Sequence, residues 1–257
     1  MKTTWLRMPN FSHPYALSSN DEDMILAGIE KGGGYYEPHI MNALRNIVRP
    51  NAICLDIGAN IGAISLGMST YASQGKVYAF EPSEANFNFL TYNVKQNNRG
   101  NIEPLKLGVF DKNTEMQFSY IDFGGGWSHI TTEHAARGHQ ETVQCVRIDD
   151  WTRERMLSKL DLIKLDVEGA EVPALKGMER TIALYKPDLI VEFNPTAQRT
   201  IFDEEPRELY NALSKLYPNL YILDFNYTAP RLTSFEQLMA MFQGGREVVD
   251  LYCTFKG

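Results

Sequence analysis

The sequence predicts an α/β fold built on a mostly parallel sheet. Four short apolar runs lie at 52–57, 76–80, 162–165 and 189–193. They lack alternation of polar and apolar residues, which is typical of strands buried on both faces. Helical patterns separate the runs, and alternating strands and helices favour parallel pairing with right-handed crossovers. Glycines and acidic residues follow the strand ends, where open α/β sheets bind ligands.

Each element can be placed along the chain from its hydrophobic periodicity. In chain order, the pattern predicts helices at 21–29 and 38–48, a strand at 52–57, a helix at 64–71, a strand at 76–80, a helix at 83–96, strands at 102–109, 115–121, 142–148 and 162–165, a helix reaching residue 184, a strand at 189–193, a helix at 206–216, a strand at 220–225, a helix at 235–242 and a strand at 247–254. We expect residues 1–50 to form a helical lid on a core domain of residues 51–257.

Composition narrows the class of protein and of partner. The net charge of −7 argues against a nucleic-acid binder, which needs a basic surface. No apolar stretch approaches the roughly 18 residues of a membrane span, and the first ten residues lack the apolar segment of a signal peptide. Cys54, Cys145 and Cys253 are too far apart in the sequence for a metal-binding pair and read as reduced thiols. We expect a cytoplasmic protein that acts on a small molecule.

A glycine loop follows the first buried strand and has the sequence DIGANIG at 56–62. Gly58 and Gly62 give a GxxxG spacing, whereas dinucleotide sites have GxGxxG with a pyrophosphate at the helix start. Asp56 would repel a pyrophosphate but attract the ammonium and sulfonium of S-adenosylmethionine. We therefore expect Asp56, Gly58, Asn60 and Gly62 to bind that cofactor. The alternatives are a turn without a ligand and a NAD site.

Glu81 ends the next strand, 19 residues after Gly62. An acidic residue near this distance binds the ribose hydroxyls in dinucleotide sites, because a carboxylate accepts two hydrogen bonds from a diol. Adenosine offers the same diol in S-adenosylmethionine. Glu81 is therefore a predicted cofactor-binding residue, with a plain helix N-terminal acid as the alternative.

A second group of acids surrounds the end of the strand at 162–165. Asp166 and Glu168 follow that strand directly and should lie near the transferred methyl group. Asp166 is also a predicted cofactor-binding residue. A carboxylate there can orient the methyl acceptor or take its proton, and His129 is a further candidate base on a glycine-rich loop. Glu171 is expected to be a structural acid in the first turn of a helix.

The sequence gives only a weak indication of a metal site. Glu192 ends the strand at 189–193 and points to the same region as Asp166 and Glu168. Three oxygen donors can hold a hard cation such as magnesium. They do not form a DxD-type cluster, so no metal ligand is predicted and S-adenosylmethionine is the expected cofactor.

Several of these motifs together resemble the FkbM-type methyltransferases. The resemblance runs from Gly33 to Asn194 and depends mainly on IKLDVEGAE at 163–171, with DIGANIG at 56–62, FEP at 80–82 and PDLIVE at 187–192. It implies the class I methyltransferase (Rossmann-like) fold, whose sheet has seven strands with the last one antiparallel. It also implies O-methylation of sugars or natural products as the commonest role.

The resemblance further implies positions for three side chains near the cofactor. Tyr36 and Glu37 would approach its methionine end, and Ser128 would lie near the adenosine. The leading hypothesis is a methyltransferase that uses S-adenosylmethionine on a hydroxyl of a carbohydrate or small metabolite. The rival hypotheses are a NAD-dependent oxidoreductase and a catalytically silent protein that only binds the cofactor.

Overall fold

The computed structural model describes residues 1–120, 129–130, 139–224 and 229–256. Its elements are, in chain order, β1 (Lys2–Leu6), β2 (Tyr15–Ser19), α1 (Met24–Lys31), α2 (Pro38–Ile47), β3 (Ile53–Ile57), α3 (Ala63–Tyr71), β4 (Lys76–Phe80), α4 (Glu84–Gln96), β5 (Ile102–Leu105), β6 (Gly108–Val109), β7 (Thr114–Tyr120), β8 (His129–Ile130), β9 (His139–Val146), α5 (Ile148–Glu154), β10 (Leu162–Leu165), α6 (Glu171–Lys176), α7 (Glu179–Tyr185), β11 (Asp188–Phe193), α8 (Pro195–Phe202), α9 (Pro206–Leu216), β12 (Asn219–Leu223), α10 (Phe235–Ala240) and β13 (Val249–Thr254).

A seven-stranded sheet in the order β12-β13-β11-β10-β3-β4-β5 forms the centre of the molecule. β3 pairs in parallel with β10 and β4, and β13 pairs antiparallel with both of its neighbours, β11 and β12. β13 is the last strand in the chain, so the predicted seven-stranded, mostly parallel sheet with an antiparallel last strand is confirmed.

The apolar strands are buried because helices cover both faces of this sheet. Leu55, Ile163 and Val191 face a core that also includes residues of α6, α7 and α9. The opposite face carries Cys54 and Ile190 and packs against α1 to α4. All four residues of β10 are buried, which explains why that strand has no polar alternation.

The amino-terminal part differs from the helix-rich segment that the sequence predicted. α1 and α2 are present, but an antiparallel hairpin of β1 and β2 precedes them. Asn93 on α4 holds this hairpin, since its side chain accepts from the Ser18 N–H at 2.8 Å and donates to the Ser18 and Ile61 carbonyls. Residues 7–14 separate the two strands without a short turn motif, so the pattern offered no hairpin signal. The lid function assigned to residues 1–50 stays a prediction.

Two predicted elements are interrupted in the structure. The strand expected at 102–109 divides, because β5 joins the main sheet and β6 pairs with β9 in a second sheet of order β6-β9-β7-β8. The helix expected to reach residue 184 divides into α6 and α7 at Gly177. A Cβ at Gly177 would lie 2.1 Å from the Phe110 carbonyl oxygen, so the backbones approach closely at this break.

Across the described ranges, no helix combines the length and the apolar character needed to cross a bilayer.

Candidate functional site

A cavity of about 410 Å³ lies at the carboxyl ends of β3, β4, β10 and β11. This is the edge of an open parallel sheet where ligands bind. The predicted site residues that line it are Glu37, Gly58, Asn60, Glu81, Asp166, Glu168 and Glu192. The amino-terminal part contributes to the wall through Met24, Ile25 and Tyr36, and α8 contributes through Thr196, Ala197 and Thr200.

Position 58 requires glycine for a different reason from the one that its place in the sequence suggested. Its φ is +84°, and a Cβ there would lie 1.7 Å from the Asp166 carbonyl oxygen. Glycine is therefore required for the contact between the tips of β3 and β10, although Gly58 also borders the cavity. Gly62 is not among the lining residues, and a Cβ there would lie 2.8 Å from Leu90 on α4.

Glu81 joins the glycine loop to the start of α4. Its carboxylate accepts from the backbone N–H of Asn60 at 2.8 Å and of Ser83 at 2.9 Å. The side chain is 4% exposed, and burial raises its pKa to about 7. The side chain of Asn86 also hydrogen-bonds this carboxylate. A carboxylate has about four acceptor positions, so Glu81 can still accept a hydrogen bond from a ligand hydroxyl.

Asp56 lies beneath the cavity and does not line it. The residue is fully buried within β3, and Ser65 on α3 donates a hydrogen bond to its carboxylate. Burial raises the pKa of Asp56, and Lys164 opposes that rise. Lys164 is the Cα partner of Asp56 on β10, so both side chains face the α1–α4 side of the sheet. Asp56 therefore acts on the cavity through its charge and through Lys164.

Lys164 lines the cavity and was not assigned to the site by the sequence interpretation. Its side chain is 4% exposed and forms an ion pair with Asp166. Burial opposes its charge, but Asp166, Glu37 and Asp56 together raise its pKa. No other cationic side chain from the described residues lines the cavity. The available signal was a lysine within a strand that is otherwise fully apolar.

Glu37 lines the cavity from the position just before α2. Its backbone is left-handed, with φ of 40°, and Pro38 occupies the first helical position. Burial raises the pKa of Glu37 to about 8, with Lys164 opposing the rise. The Oε2 atom is buried and has no hydrogen-bond partner among the residues described. The neighbouring Tyr36 also lines the cavity, and burial raises its pKa well above the usual value.

Asp166, Glu168 and Glu192 come together at the ends of β10 and β11. One carboxylate oxygen from each lies within 4.8 Å of the other two. Burial raises the pKa of Glu168 and of Glu192 well above the usual range, and the nearby Asp166 charge adds to both shifts. The sequence prediction that these three acids share one region is therefore met in the geometry.

Glu171 holds the loop between β10 and α6. Its Oε1 accepts from the N–H of Gly169 at 3.1 Å and of Val167 at 3.3 Å. The residue is fully buried and does not line the cavity, in agreement with the structural role expected from sequence.

Two predicted site residues are not placed at the cavity. Ser128 lies outside the described residues. For His129 only the backbone is described, and it pairs with Ser119 in the second sheet. Their roles as cofactor contact and base stay predictions.

A smaller cavity of about 250 Å³ adjoins the first and shares Glu37 and Glu192 with it. His39 on α2 lies in its wall and contacts the Asp250 carboxylate at 2.7 Å. Asp250 is the Cα partner of Glu192 on β13. Arg246 also lines this smaller cavity, so its wall carries charges of both signs.

The sheet order, its single antiparallel strand and the acid-rich cavity at the strand ends define a class I methyltransferase fold. Residues 56–225 match the Methyltransferase FkbM domain. The chain therefore belongs to the FkbM methyltransferase family.

Three relatives illustrate the range of this similarity. The methyltransferase sdnD of Sordaria araneosa is 27% identical over an alignment of 158 residues that covers 50% of this chain and 61% of that one. The hexuronic acid methyltransferase AglP of Haloferax volcanii is 27% identical over 147 residues, 57% of this chain and 58% of that one. The 2-O-methyltransferase NoeI of Sinorhizobium fredii is 26% identical over 220 residues, 77% of this chain and 78% of that one. The chain thus spans about three fifths of the length of the first two.

Two solved structures share the fold. The methyltransferase FkbM from Methylobacillus flagellatus KT has a TM-score of 0.51 at 19% identity, covering 80% of this chain and 44% of that chain. The precorrin-6y C5,15-methyltransferase from Geobacter metallireducens has a TM-score of 0.51 at 9% identity, covering 94% of both chains. At these identities the likeness concerns the fold alone.

Proposed function

We propose that this protein transfers the methyl group of S-adenosylmethionine to a hydroxyl of a sugar or small metabolite. The observation that carries this proposal is the set of carboxyl groups that line the cavity and can ionise when a cationic ligand binds. Glu37, Glu81, Asp166, Glu168 and Glu192 line it, and their one cationic companion from the described residues is Lys164. Such a wall suits a ligand that carries a sulfonium and an ammonium.

The same carboxyl groups argue against the NAD-dependent oxidoreductase that the sequence left open. A pyrophosphate would enter a wall rich in carboxylates, with Asp56 buried beneath the glycine loop. Lys164 is the single cationic side chain in the described wall, which is too few to balance both the five acids and a pyrophosphate. Coulomb repulsion therefore disfavours a dinucleotide at this position.

Within this proposal, Glu81 accepts hydrogen bonds from the ribose hydroxyls, and Gly58 and Asn60 border the adenosine. Glu37 and Lys164 lie on the side of β10, where the methionine part of the cofactor would reach. The ammonium of the cofactor would pair with Glu37, whose buried Oε2 lacks a partner among the residues described. The carboxylate of the cofactor would pair with Lys164.

Methyl transfer depends mainly on the alignment of the acceptor oxygen with the methyl–sulfur bond of the cofactor. The acceptor oxygen attacks the methyl carbon, the carbon–sulfur bond breaks, and the sulfur becomes a neutral thioether. The acceptor proton leaves to a carboxylate, and Asp166 and Glu168, which both follow β10, are the candidates for this base. Holding the acceptor in line and excluding water supply most of the rate increase, and a base adds to it.

The relatives support an oxygen acceptor. One is named for hexuronic acid and another for 2-O-methyl transfer. An acid-rich wall also suits an acceptor with several hydroxyls, since carboxylates accept hydrogen bonds from them.

The experiment that tests the proposal has two parts. Calorimetric titration with S-adenosylmethionine, S-adenosylhomocysteine and NAD should show saturable binding of the first two only. Incubation with a panel of sugars and phenols should then release S-adenosylhomocysteine and add the mass of one methyl group to an acceptor. NAD binding would favour the oxidoreductase, and cofactor binding without transfer across the panel would favour a silent cofactor-binding protein.

A further inference from the structure

We propose that Asp166, Glu168 and Glu192 bind a divalent metal cation such as Mg²⁺ or Mn²⁺ at the acceptor end of the cavity. One carboxylate oxygen from each lies within 4.8 Å of the other two. Two oxygens that bind the same cation are separated by at most two metal–oxygen distances, which is about 4.2 Å for Mg²⁺ and about 5 Å for Ca²⁺. Small side-chain rotations therefore bring all three oxygens onto one ion.

A buried oxygen of Glu192 supports a ligand at this position independently of the spacing. Its Oε2 is shielded from solvent and accepts no hydrogen bond from the described part of the chain. Buried carboxylate oxygens are normally hydrogen-bonded or paired with a cation, because leaving them unpaired is costly. The Glu192 oxygen therefore has the unused capacity of a metal ligand.

The charges around the cluster are also unbalanced. Lys164 forms its ion pair with Asp166, and within the described residues neither Glu168 nor Glu192 has an ion-pair partner. A divalent cation would supply an opposite charge to Glu168 and Glu192, and hard cations of this kind prefer carboxylate oxygens.

The position in the sheet separates this cluster from the expected cofactor contacts. The strand order places β10 between β3 and β11, while Glu81 ends β4 on the far side of β3. Glu192 ends β11 and also borders the smaller adjoining cavity. A cation there would lie on the side of the methyl group that the acceptor approaches, beyond the adenosine.

The consequence for catalysis depends on the function proposed above. Three protein carboxylates leave open positions on an octahedral ion, which the acceptor oxygen and water can fill. Binding to the cation lowers the pKa of the acceptor hydroxyl, so its proton leaves more easily to solvent or a carboxylate. The oxygen is also held in one place for attack on the methyl carbon.

Metal binding can be measured on the full chain without any acceptor. The protein is stripped with a chelator, dialysed and saturated with S-adenosylhomocysteine, and Mn²⁺ is then titrated with calorimetry and electron paramagnetic resonance. We expect one bound Mn²⁺ per chain with a dissociation constant below about 1 mM, the weak limit for carboxylate sites. Absence of binding in this range would overturn the proposal.

Variants identify the residues that hold the ion. Glu192→Gln and Asp166→Asn should each weaken Mn²⁺ binding by at least roughly tenfold. Glu204→Gln is a matched control, since Glu204 also has a buried Oε2 without a partner in the described chain but lies outside the cluster. Thermal unfolding confirms that each variant is folded. Unchanged Mn²⁺ affinity in both cluster variants would overturn the assignment.

The outcome can be separated from failure of the proposed function. Binding of S-adenosylhomocysteine is measured with chelator present, so loss of the metal proposal leaves the cofactor proposal intact. If an acceptor is found, the transfer rate should fall at least tenfold in chelator and return with Mg²⁺. An unchanged rate in chelator would overturn the catalytic part of the inference.

Discussion

A single buried lysine, Lys164, lies among three acids at the base of the cavity. Lys164 lies beside Asp56 on the neighbouring strand and pairs with Asp166 two residues further along. Without a cation there, Asp56, Asp166 and Glu37 would share a buried space with no opposite charge from the described wall of the cavity. Lys164 therefore lowers the pKa of Glu37 and of Asp56 against the effect of burial. Under the proposed function, it would also pair with the carboxylate of the cofactor's amino-acid group.

Glu81→Gln tests the contact with the ribose at the level of one residue. Glutamine keeps the size of the side chain but leaves one acceptor oxygen, while Glu81 already accepts from Asn60 and Ser83. We expect affinity for S-adenosylhomocysteine at pH 8 to fall by about 1.5–3 kcal/mol, the range for hydrogen bonds to a charged group. Calorimetry measures this change. Glu84→Gln, on the exposed start of α4, is the control and should bind normally.

Asp166→Asn tests the chemical step. The substitution keeps the shape and an acceptor oxygen for Lys164 but removes the charge near the acceptor. We expect kcat at saturating cofactor to fall by about 10²–10⁴-fold, the usual contribution of an acid–base group. Cofactor affinity should change far less. Kinetics with and without chelator show whether the loss requires a metal, and a wild-type kcat under both conditions would remove Asp166 from the chemistry.

At the level of elements, the close contact between the ends of β3 and β10 explains why the loop after β3 needs a glycine at position 58. The sequence predicted a strand, a glycine turn and a helix, and the structure has β3, the loop and α3 at those positions. The reason for Gly58 was not predictable, because the strand that contacts it is more than a hundred residues away in the sequence. Only the folded arrangement brings the Asp166 carbonyl against it.

Gly58→Ala should therefore destabilise the fold as well as the site. The added Cβ would collide with the Asp166 carbonyl, and alanine would have to adopt the left-handed backbone of this position. Gly245→Ala is the matched control, since Gly245 has φ of +89° and open space around a Cβ. We expect Gly58→Ala to lower the free energy of unfolding by roughly 1–3 kcal/mol more than Gly245→Ala does, as for an overpacked interior. Urea unfolding of both variants measures this, and equal losses would contradict the steric explanation.

For the whole molecule, burial decided which parts could be predicted from sequence. The central strands were predictable because both faces are covered, which gives runs that are almost entirely apolar, such as that of β10. The β1–β2 hairpin was missed, since its pairing depends on Asn93 of α4 rather than on a local turn. Asp56 was placed in the cavity wall, but its position within β3 directs it under the loop. Lys164 was not assigned to the site because it lies inside a short strand whose other residues are apolar.

Burial also gives the unliganded protein a particular dependence on pH. It raises the pKa of Glu81 and Glu171 to about 7 and that of Glu37 to about 8. In the unfolded chain these groups titrate near pH 4.5, so between about pH 5 and 8 the folded state holds more protons. We therefore expect these three groups to make the folded state less stable as the pH rises through this range.

Cofactor affinity should have the opposite dependence on pH. A ligand with a sulfonium and an ammonium favours ionised carboxylates, so its binding releases protons from Glu37 and Glu81 below pH 8. We expect the unliganded melting temperature to fall from pH 6 to pH 8 while S-adenosylmethionine binds more tightly. Calorimetric titration in two buffers with different ionisation enthalpies counts the released protons, and thermal scans at each pH give the stability. Glu37→Gln and Glu81→Gln should each reduce the number of protons released. Proton uptake on binding, or a melting temperature that rises with pH across this window, would contradict the prediction that Glu37 and Glu81 are protonated in the empty cavity and ionise when a cationic ligand binds.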